Sequence, residues 1–360
     1  MKLDTKLKIP LHNEELVINS VGDAKTNPPS KGGIKLKPKD HELVVVNSCN
    51  GFLCLAEPFK DHPSFKECNP VMVCNPITRE FLNLPATITH AKSRTHMISM
   101  HCGLGFSPKT NQYKVIRTCD RFSRTGTDSG SVTEIHTLGT GSWKKIGNAP
   151  STLGHKIGYP TYLNGSLHWF CRGDKDSNCI ISFNLDNEEF QTLPPPPFKP
   201  FRIAPYTNYT MALGEIRGCL CICCISGFEE PKVWVMKEYG VHGSWSEEYC
   251  FCTEIIAGRC MAGLCEPISS LRNGAILLFH GLMGALFYHD PKEPGCRFLE
   301  LKGYISSYEA IAYIPSFISL KDVVKGDDVT VLNTKSRCAE FKLQGESKDL
   351  FLVEDPADRF

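Results

Sequence analysis

Short runs rich in Val, Ile, Leu, Phe and Cys follow one another along the chain, and Gly, Pro and Asn separate them. In many of these runs apolar and polar positions alternate, which is typical of β-strands with one buried face. Glycine and proline interrupt regular structure and mark the turns between such strands. Apolar residues at helical spacing are not sustained over more than about ten residues. The pattern therefore predicts an all-β fold.

Residues 159–197 show this pattern most clearly. Four strand-like runs are separated by an Asn164-Gly165 turn, a polar loop and a second turn at residues 185–188. Asn-Gly between two apolar runs is a strong hairpin signal because both residues tolerate positive φ. The four runs predict one small up-and-down antiparallel sheet with the strands Tyr159–Leu163, Ser166–Phe170, Ile180–Asn184 and Glu189–Leu193.

The same order of runs and turns recurs along the chain, which indicates an internal repeat. Five copies align when the aromatic residue of each fourth strand is matched, and their mean spacing is about 54 residues, near the kelch period of about 50. Four-stranded repeats of this length predict a β-propeller, and a pair of β-sandwiches is the alternative. The aligned aromatic residues are Phe81, Trp143, Phe190, Trp245 and Phe298.

Five copies and further strand-like pieces at both ends predict a kelch-like β-propeller of about six four-stranded blades over residues 44–320. Tyr308–Tyr313 would begin the sixth blade, and Leu7–Pro10 and Glu15–Asn19 would complete it. Such closure by strands from both termini removes exposed sheet edges. The remaining parts are a Pro- and Gly-rich linker within residues 1–43 and a C-terminal tail at residues 321–360.

Composition and charge narrow the class of protein. The chain has 360 residues, of which 41% are hydrophobic and 22% charged, close to the averages of soluble globular proteins. Forty Lys and Arg against 39 Asp and Glu give a net charge of +1, so neither nucleic acid nor a membrane is expected as a partner. Met1–Pro10 lacks the apolar core of a secretory signal, which favours a cytoplasmic or nuclear location.

The 18 cysteines lie mostly inside apolar runs, where free thiols behave as small buried hydrophobic groups. Cys219, Cys221 and Cys223 alternate and would share one face of a strand. A structural metal site usually needs a second cysteine pair from another element, and the sequence has none suitably spaced. We therefore expect free thiols packed in strand cores, and we expect the same of Cys250 and Cys252.

The histidines do not form a catalytic motif either. His168 lies between Leu167 and Trp169, and the sequence supplies no nucleophile or carboxylate beside it. A structural or tunnel-lining role is therefore expected for this ring. The sequence predicts no cofactor, no bound metal and no enzymatic activity. A propeller enzyme that uses the central channel is the rival interpretation.

Loop lengths distinguish the two faces of the predicted disc. The turns between third and fourth strands are short, whereas the loops between second and third strands are long and irregular. Because binding residues usually lie on variable loops held by a rigid scaffold, we expect partner binding on the irregular face. The candidates are Arg121, Phe122 and Arg124, in which two cations flank an aromatic, and then Arg172, Asp174, Lys175 and Phe228.

Four motifs in a fixed order resemble one protein family. They are Ser48–Leu55 (SCNGFLCL), Val73–Glu80 (VCNPITRE), Gly105–Val115 (GFSPKTNQYKV) and Leu163–Trp169 (LNGSLHW). These motifs resemble the F-box-associated interaction domain of plant F-box proteins, a kelch-like region. The resemblance implies a module that captures a target protein for ubiquitination by a cullin-based ligase. In that family an N-terminal F-box docks on a Skp-type adaptor.

The N-terminal part of the sequence departs from the family pattern. An F-box is a helical segment, and nothing in Met1–Glu42 matches it. Pro10, Pro28 and Pro29 would also interrupt a helix there. A Skp-type adaptor and a cullin are therefore expected as partners only if an F-box lies upstream. Either the gene model has lost its first exon, or the chain is a receptor fragment that binds without recruiting a ligase. The alternative is a protein-interaction scaffold unrelated to ubiquitin.

Overall fold

A computed structural model describes residues 7–9, 41–56, 71–85, 95–123, 130–150, 153, 156–171, 178–197, 210–225, 231–250, 265–271, 273–280, 285–293, 297–300, 310–324 and 331–333. In these ranges the chain forms 22 β-strands and one short α-helix, α1 (Leu320–Val323). The prediction of an all-β fold is confirmed. No helix in these ranges is long and apolar enough to cross a lipid bilayer.

The strands form five antiparallel sheets, which are the blades of a β-propeller and follow one another along the chain. After β1 (Leu7–Ile9), blade 1 contains β2 (His41–Cys49), β3 (Phe52–Ala56), β4 (Val71–Asn75) and β5 (Glu80–Asn83). Blade 2 contains β6 (Thr95–Ser107), β7 (Gln112–Ser123), β8 (Gly130–Thr137) and β9 (Lys144–Gly147).

Blades 3 to 5 repeat the same up-and-down order. Blade 3 contains β10 (Lys156–Leu163), β11 (Ser166–Cys171), β12 (Cys179–Asn184) and β13 (Glu189–Leu193). Blade 4 contains β14 (Thr210–Ile216), β15 (Cys219–Ile225), β16 (Lys232–Met236) and β17 (Trp245–Cys250). Blade 5 contains β18 (Cys265–Ser270), β19 (Ile276–His280), β20 (Ala285–His289) and β21 (Arg297–Glu300), and β22 (Leu332–Asn333) follows α1.

The described residues form five blades, one fewer than the predicted number of about six. β1 and β22 come from the two ends of the chain, but they pair with β2 and β5 at the two edges of blade 1. The described part of Tyr308–Tyr313 is not a strand, since side chains of blade 1 rather than a neighbouring strand bind its backbone. The predicted strand at Glu15–Asn19 lies outside the described residues.

The apolar cores lie between successive blades. One cluster joins Val73 of blade 1 to Val115 of blade 2, and another joins Ile135 of blade 2 to Trp169 of blade 3. Two further clusters pack blade 3 on blade 4 and blade 4 on blade 5. Because these sheets are covered on both sides, β3, β4 and β11 are buried at every position instead of alternating.

Two of the aligned aromatic residues join blade 2 to blade 1 and blade 4 to blade 3. The indole N–H of Trp143, just before β9, donates to the carbonyl of Pro85 at 2.6 Å. The indole N–H of Trp245 in β17 donates to the carbonyl of Pro194 at 3.0 Å. The prediction that fourth-strand aromatics pack between adjacent sheets is confirmed for this pair.

The turns on one side of the disc repeat a common geometry. In three turns a side-chain oxygen accepts a hydrogen bond of 2.8–3.0 Å from the backbone N–H two residues further along the chain. The residues that supply these oxygens are Asn75, Asn184 and Asp290. The turns after the first strands place Asn164 and Gly165 at φ values of 50° and 72°, as the Asn-Gly pattern predicts. We call the side that carries these turns the short-turn face and the opposite side the irregular face.

Candidate functional site

The first hairpin of blade 2 is the longest in the described chain. β7 has twelve residues, whereas β3, β11, β15 and β19 have five to seven. Pairing of β6 with β7 continues to Thr95 and Ser123, and β8 pairs with β7 as far as Arg121. At about 3.4 Å per residue, five extra residues carry this hairpin roughly 17 Å further toward the irregular face.

Arg121 and Phe122 lie at the far end of this hairpin, opposite Met97 and His96 of β6. The other five candidates, Arg124, Arg172, Asp174, Lys175 and Phe228, lie outside the described residues. The strands before these loops, β7, β11 and β15, are all second strands of their blades and end on the irregular face. The binding role of the seven residues stays a prediction.

A segment on the short-turn face crosses the turns of blade 1. We call residues 310–319 the strap. Asn75 donates from its side-chain amide to the carbonyls of Ser316 at 3.0 Å and Ile318 at 2.7 Å. The Ser48 hydroxyl donates to the carbonyl of Ala312, and the Tyr313 hydroxyl donates to that of Gly51 at 3.2 Å. Blade 1 therefore holds the strap by side-chain hydrogen bonds.

The carboxylate of Glu80 fixes the end of the strap. It accepts hydrogen bonds from the Thr78 hydroxyl at 2.9 Å, the Ser319 hydroxyl at 2.7 Å and the backbone N–H of Leu320 at 2.8 Å. Burial alone would raise the pKa of Glu80, but these donors and the charge of Lys321 outweigh it and lower the pKa. The carboxylate is therefore charged at neutral pH and anchors the start of α1.

The strap presents an apolar surface to solvent. Phe317 is 89% exposed, Ile314 79% and Ile318 49%. Sequence reasoning missed these residues because it assigned the preceding positions to a sixth blade. The available signal was a run from Ala310 to Leu320 that contains Pro315 and no charged residue. The other large exposed apolar side chains of the described residues, Tyr239, Val241 and Leu271, lie in turns of the same face.

His168 is a structural histidine. Its ring is fully buried, with Nδ1 3.1 Å from the carbonyl of Thr161 and Nε2 2.6 Å from the hydroxyl of Tyr239. Burial lowers the pKa of His168 to about 4, so the ring is neutral at neutral pH. Since a carbonyl only accepts, Nδ1 donates to Thr161 and Nε2 accepts from Tyr239. The ring links blade 3 to the turn of blade 4.

Cysteines within the described ranges are buried or partly buried, except for Cys250. The thirteen cysteines among the described residues are not joined in disulfides. Burial raises the pKa of the Cys221 thiol well above its usual value, which disfavours the thiolate needed for metal binding or nucleophilic attack. Cys250 contradicts the predicted core position, because it is exposed at the end of the outer strand β17. Cys252 lies outside the described residues.

Charged groups join blades 2 and 3. The ammonium of Lys114 donates to the carboxylate of Glu188 at 2.9 Å, and Lys144 donates to the same carboxylate at 2.8 Å. Within blade 2, the guanidinium of Arg117 lies 2.6 Å from the carboxylate of Glu134 and 4.0 Å from the ring centre of Trp143. These ion pairs hold sheets together. In the described part of the chain, no group of three His, Cys, Asp or Glu is placed to hold a metal.

The family model described as "F-box associated beta propeller domain" matches residues 12–318. The chain belongs to this family. The matched range includes all five blades and most of the strap. The resemblance inferred from the four sequence motifs is therefore confirmed, and so is the propeller fold.

Curated relatives of this F-box associated propeller are F-box proteins of Arabidopsis thaliana. F-box protein At3g07870 is 28% identical over 237 residues, which cover 60% of this chain and 53% of that protein. F-box/kelch-repeat protein At3g23880 is 26% identical over 238 residues, which cover 66% of this chain and 60% of that protein. The chain thus spans little more than half the length of the relatives it matches.

Solved structures similar to the propeller have low sequence identity. TolB from Acinetobacter baumannii is 12% identical, with a TM-score of 0.39 over 69% of this chain and 53% of that chain. Aleuria aurantia lectin is 10% identical, with a TM-score of 0.40 over 76% of this chain and 79% of that chain.

Proposed function

We propose that this propeller is the target-binding part of an F-box receptor, which captures a protein for ubiquitination by a cullin-based ligase. The observation that carries the proposal is the family match over residues 12–318. The names of the curated relatives support it, because they describe F-box proteins. Binding without catalysis is the role proposed for the chain, and a cytoplasmic or nuclear location stays a prediction.

Target capture is proposed at the irregular face. The long hairpin of β6 and β7 supports this choice because it carries Arg121 and Phe122 roughly 10–14 Å beyond the end of a seven-residue second strand such as β15. An arginine and an aromatic residue are the types that most often contribute strongly to protein interfaces. Packed blades below give these residues a rigid support, so binding needs little reordering of the scaffold.

The target-binding face is tested by replacing Arg121, Phe122 and Arg124 with Ala. A partner recovered by pull-down is identified, and its affinity for the purified variants is measured. Replacing the three candidates is expected to cost at least about 2 kcal/mol, roughly thirtyfold in Kd, if they lie at the centre of the interface. Thermal unfolding is expected to change little, because loop substitutions usually cost within about 0.5 kcal/mol.

The control variant carries Ala at Lys109, Glu238 and Lys292, exposed residues in turns of the short-turn face. Asp186 and Glu188 are unsuitable controls because they hold blades 2 and 3 together. Loss of binding in the control alone would reverse the assignment of the faces. Equal binding by both variants would remove the three candidates from the interface.

The link to a ligase is tested by fusion. A functional F-box segment attached before Met1 is expected to recover a Skp-type adaptor and a cullin, and to promote ubiquitination of the identified target. The matched control is the same fusion with the adaptor-binding residues of the F-box disabled. A target that binds the active fusion with unchanged affinity but is never ubiquitinated would favour the alternative of a scaffold unrelated to ubiquitin.

A further inference from the structure

Three apolar side chains of the strap are exposed to solvent, whereas Ile311 and Tyr313 pack against blade 1. Ile314, Phe317 and Ile318 lie within five residues, and no charged residue occurs between Ala310 and Leu320. Single exposed apolar residues are common on protein surfaces, but a contiguous apolar patch often marks an interaction site. We call the side chains of Ile314, Phe317 and Ile318 the patch, and the strap itself adds no charged residue beside them.

The strap is ordered before any partner arrives. Asn75 holds the carbonyls of Ser316 and Ile318, and Glu80 holds the Ser319 hydroxyl and the Leu320 N–H. The side chain of Leu320 is fully buried in the core between blades 1 and 2. A partner that binds the patch therefore loses less affinity to ordering of the surface than one that binds a flexible loop.

The size of the patch limits what can bind it. With aromatic and branched side chains of about 200 Å² each, the three residues expose roughly 400 Å² in total. Each partner in a stable protein–protein interface contributes about 800 Å². The patch is thus too small to hold a second copy of this chain by itself, and it matches the contact area of a short peptide segment.

We propose that the strap is a second protein-docking surface, which takes a short uncharged segment of a partner protein through two or three apolar or aromatic side chains. Recognition is by side chains, because the strap carbonyls of Ala312, Ser316 and Ile318 already accept hydrogen bonds from blade 1. The strap lies on the short-turn face, opposite the loops predicted to bind the target. This surface goes beyond the proposed function and does not rest on it.

The experiment uses a random dodecapeptide library displayed on phage and selected against the full chain. The enriched peptides are expected to share two or three apolar or aromatic residues and little charge. A synthetic copy of the most enriched peptide is titrated against purified variants. Phe317→Ser and Ile314→Ser are each expected to weaken its binding at least tenfold while leaving the melting temperature unchanged.

The matched control is Val241→Ser, which removes an apolar side chain of 46% exposure from a turn of blade 4 on the same face. This variant is expected to bind the peptide as the unaltered chain does. Binding of the peptide to the Phe317→Ser variant within twofold of the unaltered chain would overturn the proposal, as would a selection that yields no binding peptide.

Light scattering tests whether a second copy of this chain, rather than a peptide segment, occupies the patch. The full chain is expected to remain monomeric at concentrations where the peptide binds. A concentration-dependent dimer that is lost in the Phe317→Ser variant would assign the patch to a second copy and overturn the peptide proposal. These outcomes are separate from those for target capture, which are measured with the variants of Arg121, Phe122 and Arg124.

Discussion

At the scale of single residues, Gly51 shows how a turn and the strap depend on each other. Its φ is +89°, and a Cβ placed there would lie 2.2 Å from the Cβ of Ser316. Gly51→Ala therefore combines backbone strain with a collision against the strap. We expect this variant to lose at least about 1 kcal/mol more unfolding free energy than positive φ alone would cost, since crowding of a packed site typically costs 1–3 kcal/mol.

Gly218→Ala is the matched control for Gly51→Ala. Gly218 has a φ of +75°, and a Cβ there would meet nothing within 4 Å. Urea unfolding of both variants separates the cost of positive φ from the cost of the collision. Equal losses of stability in the two variants would contradict the close packing of the strap against the turn.

The ion pair between Arg117 and Glu134 illustrates a buried charge that needs its partner. Their side chains are 1% and 8% exposed. Glu134→Gln leaves the guanidinium buried without that carboxylate, and we expect a loss of about 3 kcal/mol. Glu247→Gln breaks the half-exposed pair with Lys232 and is expected to cost less than about 1 kcal/mol. If urea unfolding showed similar losses of unfolding free energy in the two variants, burial would not determine how much these ion pairs stabilise the fold.

At the scale of elements, the strap and α1 depend on the charge of Glu80. The folded pKa of this carboxyl lies below its usual value of 4.5. The stability that it contributes is present above about pH 4.5 and is lost as the pH falls through the folded pKa, because the unfolded chain takes up the proton first. Glu80→Gln removes this titration. The fall in melting temperature between pH 6 and pH 3.5 is expected to be smaller in the variant, and an unchanged fall would contradict the anchoring role.

At the scale of the whole molecule, a polar contact joins each successive pair of blades in the described chain. The side-chain amide of Asn47 bonds the backbone of Leu104, and Lys114 bonds Glu188. His168 contacts Tyr239, and the guanidinium of Arg217 donates to the carbonyl of Gly274 at 2.8 Å. The blades thus share directional contacts as well as apolar cores, which favours one fixed arrangement of the ring.

The buried contact between His168 and Tyr239 predicts that acid destabilises the propeller. The folded pKa of His168 is about 4, below its usual value of 6.5. As the pH falls, the imidazole of His168 therefore takes up a proton in the unfolded chain before it does so in the folded chain. The free energy of unfolding decreases as the pH falls from about 6.5 to about 4. His168→Gln is expected to reduce the fall in melting temperature over this window. An equal fall in the variant would assign the acid sensitivity to other groups, such as His136, whose pKa burial also lowers to about 4.

The pairing of β1 with β2 predicts a role for the N-terminal residues in stability. Deleting Met1–Asn19 leaves one edge of β2 without its partner strand. We expect a lower melting temperature, a broader transition and more aggregation. A chain shortened by residues 346–360, which keeps β22, is the control. An unchanged transition after the N-terminal deletion would show that β1 does not stabilise the ring.

The strands, turns and repeat of this protein could be predicted from sequence because they depend on neighbouring residues. Short strand-like runs between turn residues located the strands of blade 3, and β13 has the predicted bounds of Glu189–Leu193. Asn164 and Gly165 adopt positive φ, a conformation that these two residue types tolerate locally. The spacing of the aromatic residues then predicted the propeller, since each blade needs the next one to cover it.

The number of blades and the strap were decided only by tertiary structure, because they depend on which surfaces meet. Glu80 is an ordinary strand residue in the sequence, but its donors Ser319 and Leu320 lie 239 and 240 positions further along the chain. No local pattern distinguishes a strand of a sixth blade from a segment whose carbonyls bind side chains of the first. The exposure of Phe317 follows from that contact, since blade 1 binds the strap backbone at Ser316 and Ile318 and leaves the Phe317 side chain in solvent.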